Sequence, residues 1–203
     1  MSGTKSISLS NKVQSAGVST IDVTKATGSG TLVINTFQFG VRTNLTLIGS
    51  EDKDVNVHFT GGSGHDTLTT GKTAEDRSDT LEGGLGVDTF NVIATDNITL
   101  IQDLGLGGND AITIAETAAG MTATVTHNYT APARTSNSRS TTDVVLNASS
   151  GVDINMFDAS GSFGYVINGG DEASTLEGSI FDDSISGNAR ADQIISHEGN
   201  DTI

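Results

Sequence analysis

Gly61-Gly-Ser-Gly-His-Asp-Thr-Leu-Thr69 lies position for position over Gly83-Gly-Leu-Gly-Val-Asp-Thr-Phe-Asn91. Both read Gly-Gly-x-Gly-x-Asp-x-U-x, where U is a large apolar residue. Gly105-Leu-Gly-Gly-Asn-Asp-Ala-Ile-Thr113 departs from the pattern only at the second glycine, and Ala74–Glu82 keeps only its Asp79-x-Leu81 end, abutting Gly83 in register. The spacing has a physical meaning. Glycines reach positive φ and let the backbone fold tightly enough to aim its carbonyls at one point. The Asp adds a hard anionic oxygen, and x-U-x is a three-residue strand with a single inward side chain. Hard oxygens without nitrogen or sulfur ligands select Ca²⁺ over zinc or copper.

The same nine-residue phase returns at the C-terminus, in units starting at Gly169, Gly178, Gly187 and Ser196. Their sixth positions are Ser174, Asp183, Asp192 and Asp201, and their eighth positions are Leu176, Ile185, Ile194 and Ile203. A flexible Gly/Asp linker would not place an apolar residue two positions after every sixth residue.

These units resemble the hemolysin-type calcium-binding repeats (repeats-in-toxin, RTX). The resemblance implies an all-β solenoid, a parallel β-roll or β-helix with two nonapeptides per coil and Ca²⁺ held between stacked turns. It also implies several calcium ions. The ligand candidates in the first block are Gly61, Ser63, Gly64 and Asp66; Gly83, Leu85, Gly86 and Asp88; Asp79; and Gly105, Gly107, Gly108 and Asp110. In the second block they are Asp171, Asp183, Asp192, Gly199 and Asp201. Asp66, Asp88 and Asp110 fall 22 residues apart rather than 18. Segments such as Thr70-Gly-Lys-Thr73 therefore bulge out, or the coil is larger there than in a plain roll.

Along the chain, short β-branched runs bounded by Gly, Asn or Asp read as strands: 31–34, 44–48, 55–59, 90–93, 98–101, 111–114, 122–126, 144–146 and 165–167. Residues 114–121 have room for a helical turn or two. Expected segments are 1–57 (β-rich), 58–115 (first repeat block), 116–168 (β with an exposed loop at 127–142) and 169–203 (second block). The loop reading rests on Pro132, Arg134 and Arg139 in a stretch without acids. The chain stops at position eight of a repeat, which reads as a piece of a longer protein.

Composition narrows the function. Lys+Arg 10 against Asp+Glu 25 gives a net charge of −15, which opposes binding to nucleic acid or anionic lipid and favours cations. Residues 49–110 hold 12 acids and residues 169–203 another 8, out of 25. Such clustering calls for local neutralisation. No Cys is present, so disulfides and thiolate sites are excluded. No apolar run is long enough for a transmembrane helix.

There is no His-Glu-x-x-His and no Gly-x-Ser-x-Gly, and Gly71-Lys72-Thr73 lacks the phosphate-loop glycine, Asp66 standing in its place. His58, His65, His127 and His197 are scattered, and Asp183 of the Asp182-Asp183 pair belongs to the repeat. No enzyme activity is expected. The expected role is a calcium-dependent structural protein of the bacterial cell exterior, resembling surface-layer (S-layer) proteins exported by type I secretion. Self-association into a lattice or a longer parent chain, and a cell-surface polysaccharide, are the further expected partners. The alternatives are an adhesin or biofilm-matrix segment, or the accessory domain of a secreted toxin or hydrolase.

Overall fold

A three-residue strand buries one side chain, so stable burial requires many copies stacked in register. A computed structural model, describing residues 4–8, 17–36, 43–71, 78–95 and 97–203, shows that stack. Every pairing between strands is parallel, and no α-helix occurs among the described residues.

Sheet A has nine strands in the order β1 (Lys5–Ser8), β3 (Gly30–Asn35), β5 (Val55–Thr60), β7 (Thr80–Glu82), β9 (Thr99–Leu104), β11 (Met121–Val125), β14 (Val144–Ala148), β17 (Val166–Asn168) and β19 (Ser184–Ser186). Its inward column runs unbroken through Ile34, Phe59, Leu81, Ile101, Ala123, Leu146, Ile167 and Ile185. Sheet B comprises β2 (Thr20–Asp22), β4 (Thr46–Ile48), β6 (Thr67–Thr69), β8 (Thr89–Val92), β10 (Ala111–Ile114), β13 (Ser136–Asn137) and β16 (Ser160–Gly161). Leu47, Leu68, Phe90 and Ile112 form its inner column. Sheet C comprises β12 (Tyr129–Thr130), β15 (Ile154–Asn155), β18 (Thr175–Glu177) and β20 (Gln193–Ile195).

The path of the chain changes along the stack. Up to β11 it alternates between sheets A and B. From β11 to β17 it visits A, C and B in turn, and thereafter it alternates between A and C. The first repeat block has 22-residue coils, since Thr67 pairs with Thr89 and Thr89 with Ala111. The second has the plain 18-residue coil, since Val166 pairs with Ser184 and Thr175 with Gln193. The larger coil, rather than a bulge on an 18-residue coil, is therefore the answer to the 22-residue spacing.

The middle of the chain corrects two expectations. Residues 127–142 are not an exposed loop: they carry β12, β13 and a 3₁₀ turn at Thr141–Asp143. Tyr129, Ala131, Thr135 and Asn137 are buried. Their polar groups point inward and are satisfied there, Tyr129 O–H donating to the Asp110 carbonyl (2.8 Å) and Asn137 Nδ2 to that of Gly164 (2.6 Å). Arg134 is exposed, and Arg139 Nε donates to Asp143 Oδ2 (3.0 Å). Residues 114–121 form a turn, not a helix, with Ala118 buried at the corner between sheets B and A.

Candidate metal centre: the stacked aspartate turns

In three of the repeat turns the sixth-position aspartate folds back to accept an amide of its own turn. Asp66 Oδ2 accepts the amide of Gly62 (2.8 Å), Asp110 Oδ2 that of Gly105 (2.8 Å) and Asp183 Oδ2 that of Ser179 (2.6 Å). The other oxygen reaches the preceding coil. Leu45 N–H donates to Asp66 Oδ1 (2.8 Å), Asp66 N–H to Asp88 Oδ1 (2.7 Å) and Asp88 N–H to Asp110 Oδ1 (2.8 Å). In the second block Tyr165 N–H donates to Asp183 Oδ1 (2.6 Å), Asp183 N–H to Asp201 Oδ1 (2.9 Å) and Ser174 N–H to Asp192 Oδ1 (2.9 Å). The result is a ladder of carboxylates along the turn edge of each block.

A second ladder runs beside it in the opposite sense. The fifth-position N–H donates backward: His65 to Asn44 Oδ1 (2.9 Å), Val87 to His65 Nδ1 (2.8 Å) and Asn200 to Asp182 Oδ1 (2.8 Å). Because His65 Nδ1 accepts, its proton sits on Nε2.

The glycines follow from the fold-back. A Cβ on Gly83 would fall on the Asp88 carboxylate, and one on Gly61 would meet Asp66 Oδ2 and the Gly83 carbonyl. Gly178 stands in the same relation to Asp183, and Gly187 to Asp192. Gly86, at φ 140°, has the Gly64 carbonyl where its Cβ would be. Gly107 and Gly108 pack in turn against Leu85 and Gly86, so the turns at 61–66, 83–88 and 105–110 stack carbonyl upon amide. Ser63 and Leu85 occupy the third position. The Leu85 side chain is exposed while its N–H donates to the Gly62 carbonyl (2.9 Å).

Asp66, Asp88, Asp110 and Asp183 are all buried, and burial disfavours their charged forms. Asp88 is pushed up to about 8, by burial first and then by the charges of Asp110, Asp66 and Asp103. Asp110 is pushed up to about 7, again by burial first and also by Asp103. Asp88 Oδ2 is buried and has no hydrogen-bond partner among the described residues. A buried carboxylate oxygen without a partner, crowded by like charges inside a cradle that admits no side chain, matches the coordination demand of a hard cation.

No cluster of three or more His, Asp or Glu side chains among the described residues is arranged to hold a metal alone. The donor set that fits is one carboxylate per turn together with backbone carbonyls.

The RTX calcium-binding nonapeptide repeat signature matches in four copies, over residues 56–72, 73–91 and 168–203. The chain carries RTX calcium-binding repeats. Repeats of this family bind calcium and are typical of secreted bacterial proteins. No curated protein and no solved structure is significantly similar to the chain. The RTX unit at Gly105–Thr113 lies outside the matched segments, yet its Asp110 continues the ladder of Asp66 and Asp88.

Other candidates are placed differently. Asp79 lies across the coil at the start of β7, where its carboxylate accepts the amides of Val57 and Gly71 (2.8 Å each) and burial pushes it up to about 6. Asp171 is exposed in a bend. Gly199, at φ 123°, packs on the Phe181 carbonyl in the last turn.

Asp103 is the residue the RTX pattern misses. Its two oxygens accept the amides of Gly83 (2.9 Å) and Gly84 (2.8 Å), beside a register shift in β9. It has no nonapeptide position, so only the folded coil brings it to the turn.

Proposed function

We propose that this chain is a calcium-dependent structural element of the bacterial cell exterior, of the S-layer type, exported by type I secretion and assembling once calcium is bound. The carboxylates of Asp66, Asp88, Asp110, Asp183, Asp192 and Asp201 supply the charged ligands. Carbonyls of the stacked turns, including those of Ser63 and Leu85, complete the shell. Its role is mechanical rather than enzymatic.

The observation that carries this reading is the unpartnered, buried Asp88 Oδ2 in the middle of the ladder. Calcium there converts repulsion among stacked carboxylates into cross-linking between coils, so binding energy becomes folding energy. A sheet that continues through repeat and non-repeat segments alike supports a load-carrying part over an appendage to a catalytic unit. Electron microscopy of the purified chain with millimolar Ca²⁺ and with EDTA tests the S-layer reading. Ordered arrays in calcium alone are expected. Dispersed single particles in both would contradict it and favour an adhesin spacer.

A further inference from the structure

The outer face of sheet C carries features that the calcium ladders do not use. Inward residues Tyr129, Ile154 and Leu176 are buried, which turns their neighbours outward in two rows across the strands. One row is Thr130, Asn155 and Glu177; the other is Asn128, Asp153 and Thr175. Together they line an open groove of about 290 Å³. Asn128 and Asp153 brace each other, Asp153 N–H donating to Asn128 Oδ1 (3.1 Å) and Asn128 Nδ2 to Asp153 Oδ2 (3.3 Å). Asn155 Nδ2 donates to Glu177 Oε2. The groove therefore presents planar amides and carboxylates held at fixed angles. The Thr130 and Thr175 hydroxyls make no hydrogen bond among the described residues.

At one end the groove meets an aromatic platform. His197 Nε2 lies 2.7 Å from Glu177 Oε1, and its ring packs on that of Phe157 with centroids 4.5 Å apart. The Phe157 N–H donates to Asn155 Oδ1 (2.9 Å), tying the platform to the groove. Phe157 is 47% exposed, whereas Phe59 and Phe90 are fully buried. An exposed phenylalanine beside a row of polar side chains places an apolar face and hydrogen-bonding edges in one surface.

We infer that the outer face of sheet C is a binding site for a neutral polysaccharide. Sugar rings have one face of C–H groups, which suits Phe157 and His197. Their hydroxyls need donors and acceptors together, which Asn128, Asn155, Asp153, Glu177 and the free threonines supply. Asp153 and Glu177 lie in the groove with no Lys or Arg lining it, so an anionic glycan is repelled and a neutral one is not. The groove crosses three strands at ~4.8 Å spacing, roughly 10 Å, the length of a short run of linked sugars. The inference goes beyond the calcium reading and stands on this face alone.

Native affinity electrophoresis in calcium, in gels cast with dextran, starch, mannan or alginate, tests it. Retardation is expected in at least one neutral gel, with Phe157→Ala and Glu177→Gln each weakening it at least tenfold while the calcium-dependent melting curve stays unchanged. Three results would overturn the site: no retardation in any neutral gel, retardation only in alginate, or retardation that survives both substitutions. If Phe157→Ala instead alters only the sedimentation of the protein, the face is a contact between copies and the glycan site is wrong. None of these outcomes bears on calcium-dependent folding, which is read separately from the melting curve.

Discussion

Replacing Asp88 by Asn should stabilise the calcium-free protein above neutral pH, the reverse of what removal of an ordinary ladder acceptor would do. Asn keeps the Oδ1 that accepts the Asp66 amide and removes the charge on the unpartnered side. The sign follows from linkage. Asp88 sits at about 8 when folded against 3.8 when free. Below pH 4 both states hold the proton and nothing is lost. Between pH 4 and 8 the unfolded chain ionises first, so stability falls as pH rises, and above 8 the full penalty remains. At ~1.4 kcal/mol per unit the penalty is on the order of 5 kcal/mol. A newly buried amide N–H₂ without an acceptor returns ~1–3 kcal/mol of that. A net gain of about 2–4 kcal/mol at pH 8 corresponds to a rise of roughly 5–15 °C in Tm for a chain of this size. In saturating calcium the sign reverses, because the variant lacks a charged ligand. Thermal melts of both proteins in EDTA from pH 5 to 8.5, and again in millimolar Ca²⁺, decide it. A variant less stable than the parent in EDTA at pH 8, or a difference that does not grow with pH, would refute the reasoning.

In the second block Asp183→Ala should cost more calcium affinity than Asp192→Ala. Asp183 is buried and faces Asp201 on the same side of the coil, whereas Asp192 is half-buried and faces Ser174. Calorimetric titration that gave equal losses, or the larger loss for Asp192→Ala, would contradict the coil pairing. The two buried tyrosines should also separate. Tyr165→Phe removes a buried hydroxyl with no partner among the described residues and should be neutral or stabilising, while Tyr129→Phe loses the bond to the Asp110 carbonyl and should cost ~1 kcal/mol or more. Chemical denaturation measures both, and a Tyr165→Phe variant as damaged as Tyr129→Phe would show that the Tyr165 hydroxyl has a partner.

The repeat blocks were legible because each unit carries its own instructions: glycines where a carboxylate must fold back, and one apolar residue where a strand must point inward. That is why Leu68, Phe90 and Ile112 could each be read as the inward residue of its strand from the pattern alone. The middle of the chain was not legible in the same way. Its third side is built from strands of two residues, and its inward positions include Thr135 and Asn137, whose hydrogen bonds close inside the coil. Composition reads such residues as solvent-facing. Asp103 escaped for a different reason. It reaches Gly83 and Gly84 from the neighbouring coil, a relation that exists only once the 22-residue coils have stacked and β9 has shifted its register. Likewise, the pattern gave Asp66, Asp88 and Asp110 the same position in their units but not the direction of their bonds, each carboxylate reaching the coil before it.

If calcium completes the fold at these carboxylates, the folded state should depend on that ion. Circular dichroism melts of the chain in EDTA, in millimolar Mg²⁺ and in millimolar Ca²⁺ test it most directly. Magnesium demands six short bonds in a tight octahedron, which turn carbonyls supply poorly. Weakened β structure and a low, broad transition are expected in EDTA, little recovery in Mg²⁺, and a sharp transition at much higher temperature in Ca²⁺. Superimposable spectra and melting curves in all three would contradict it.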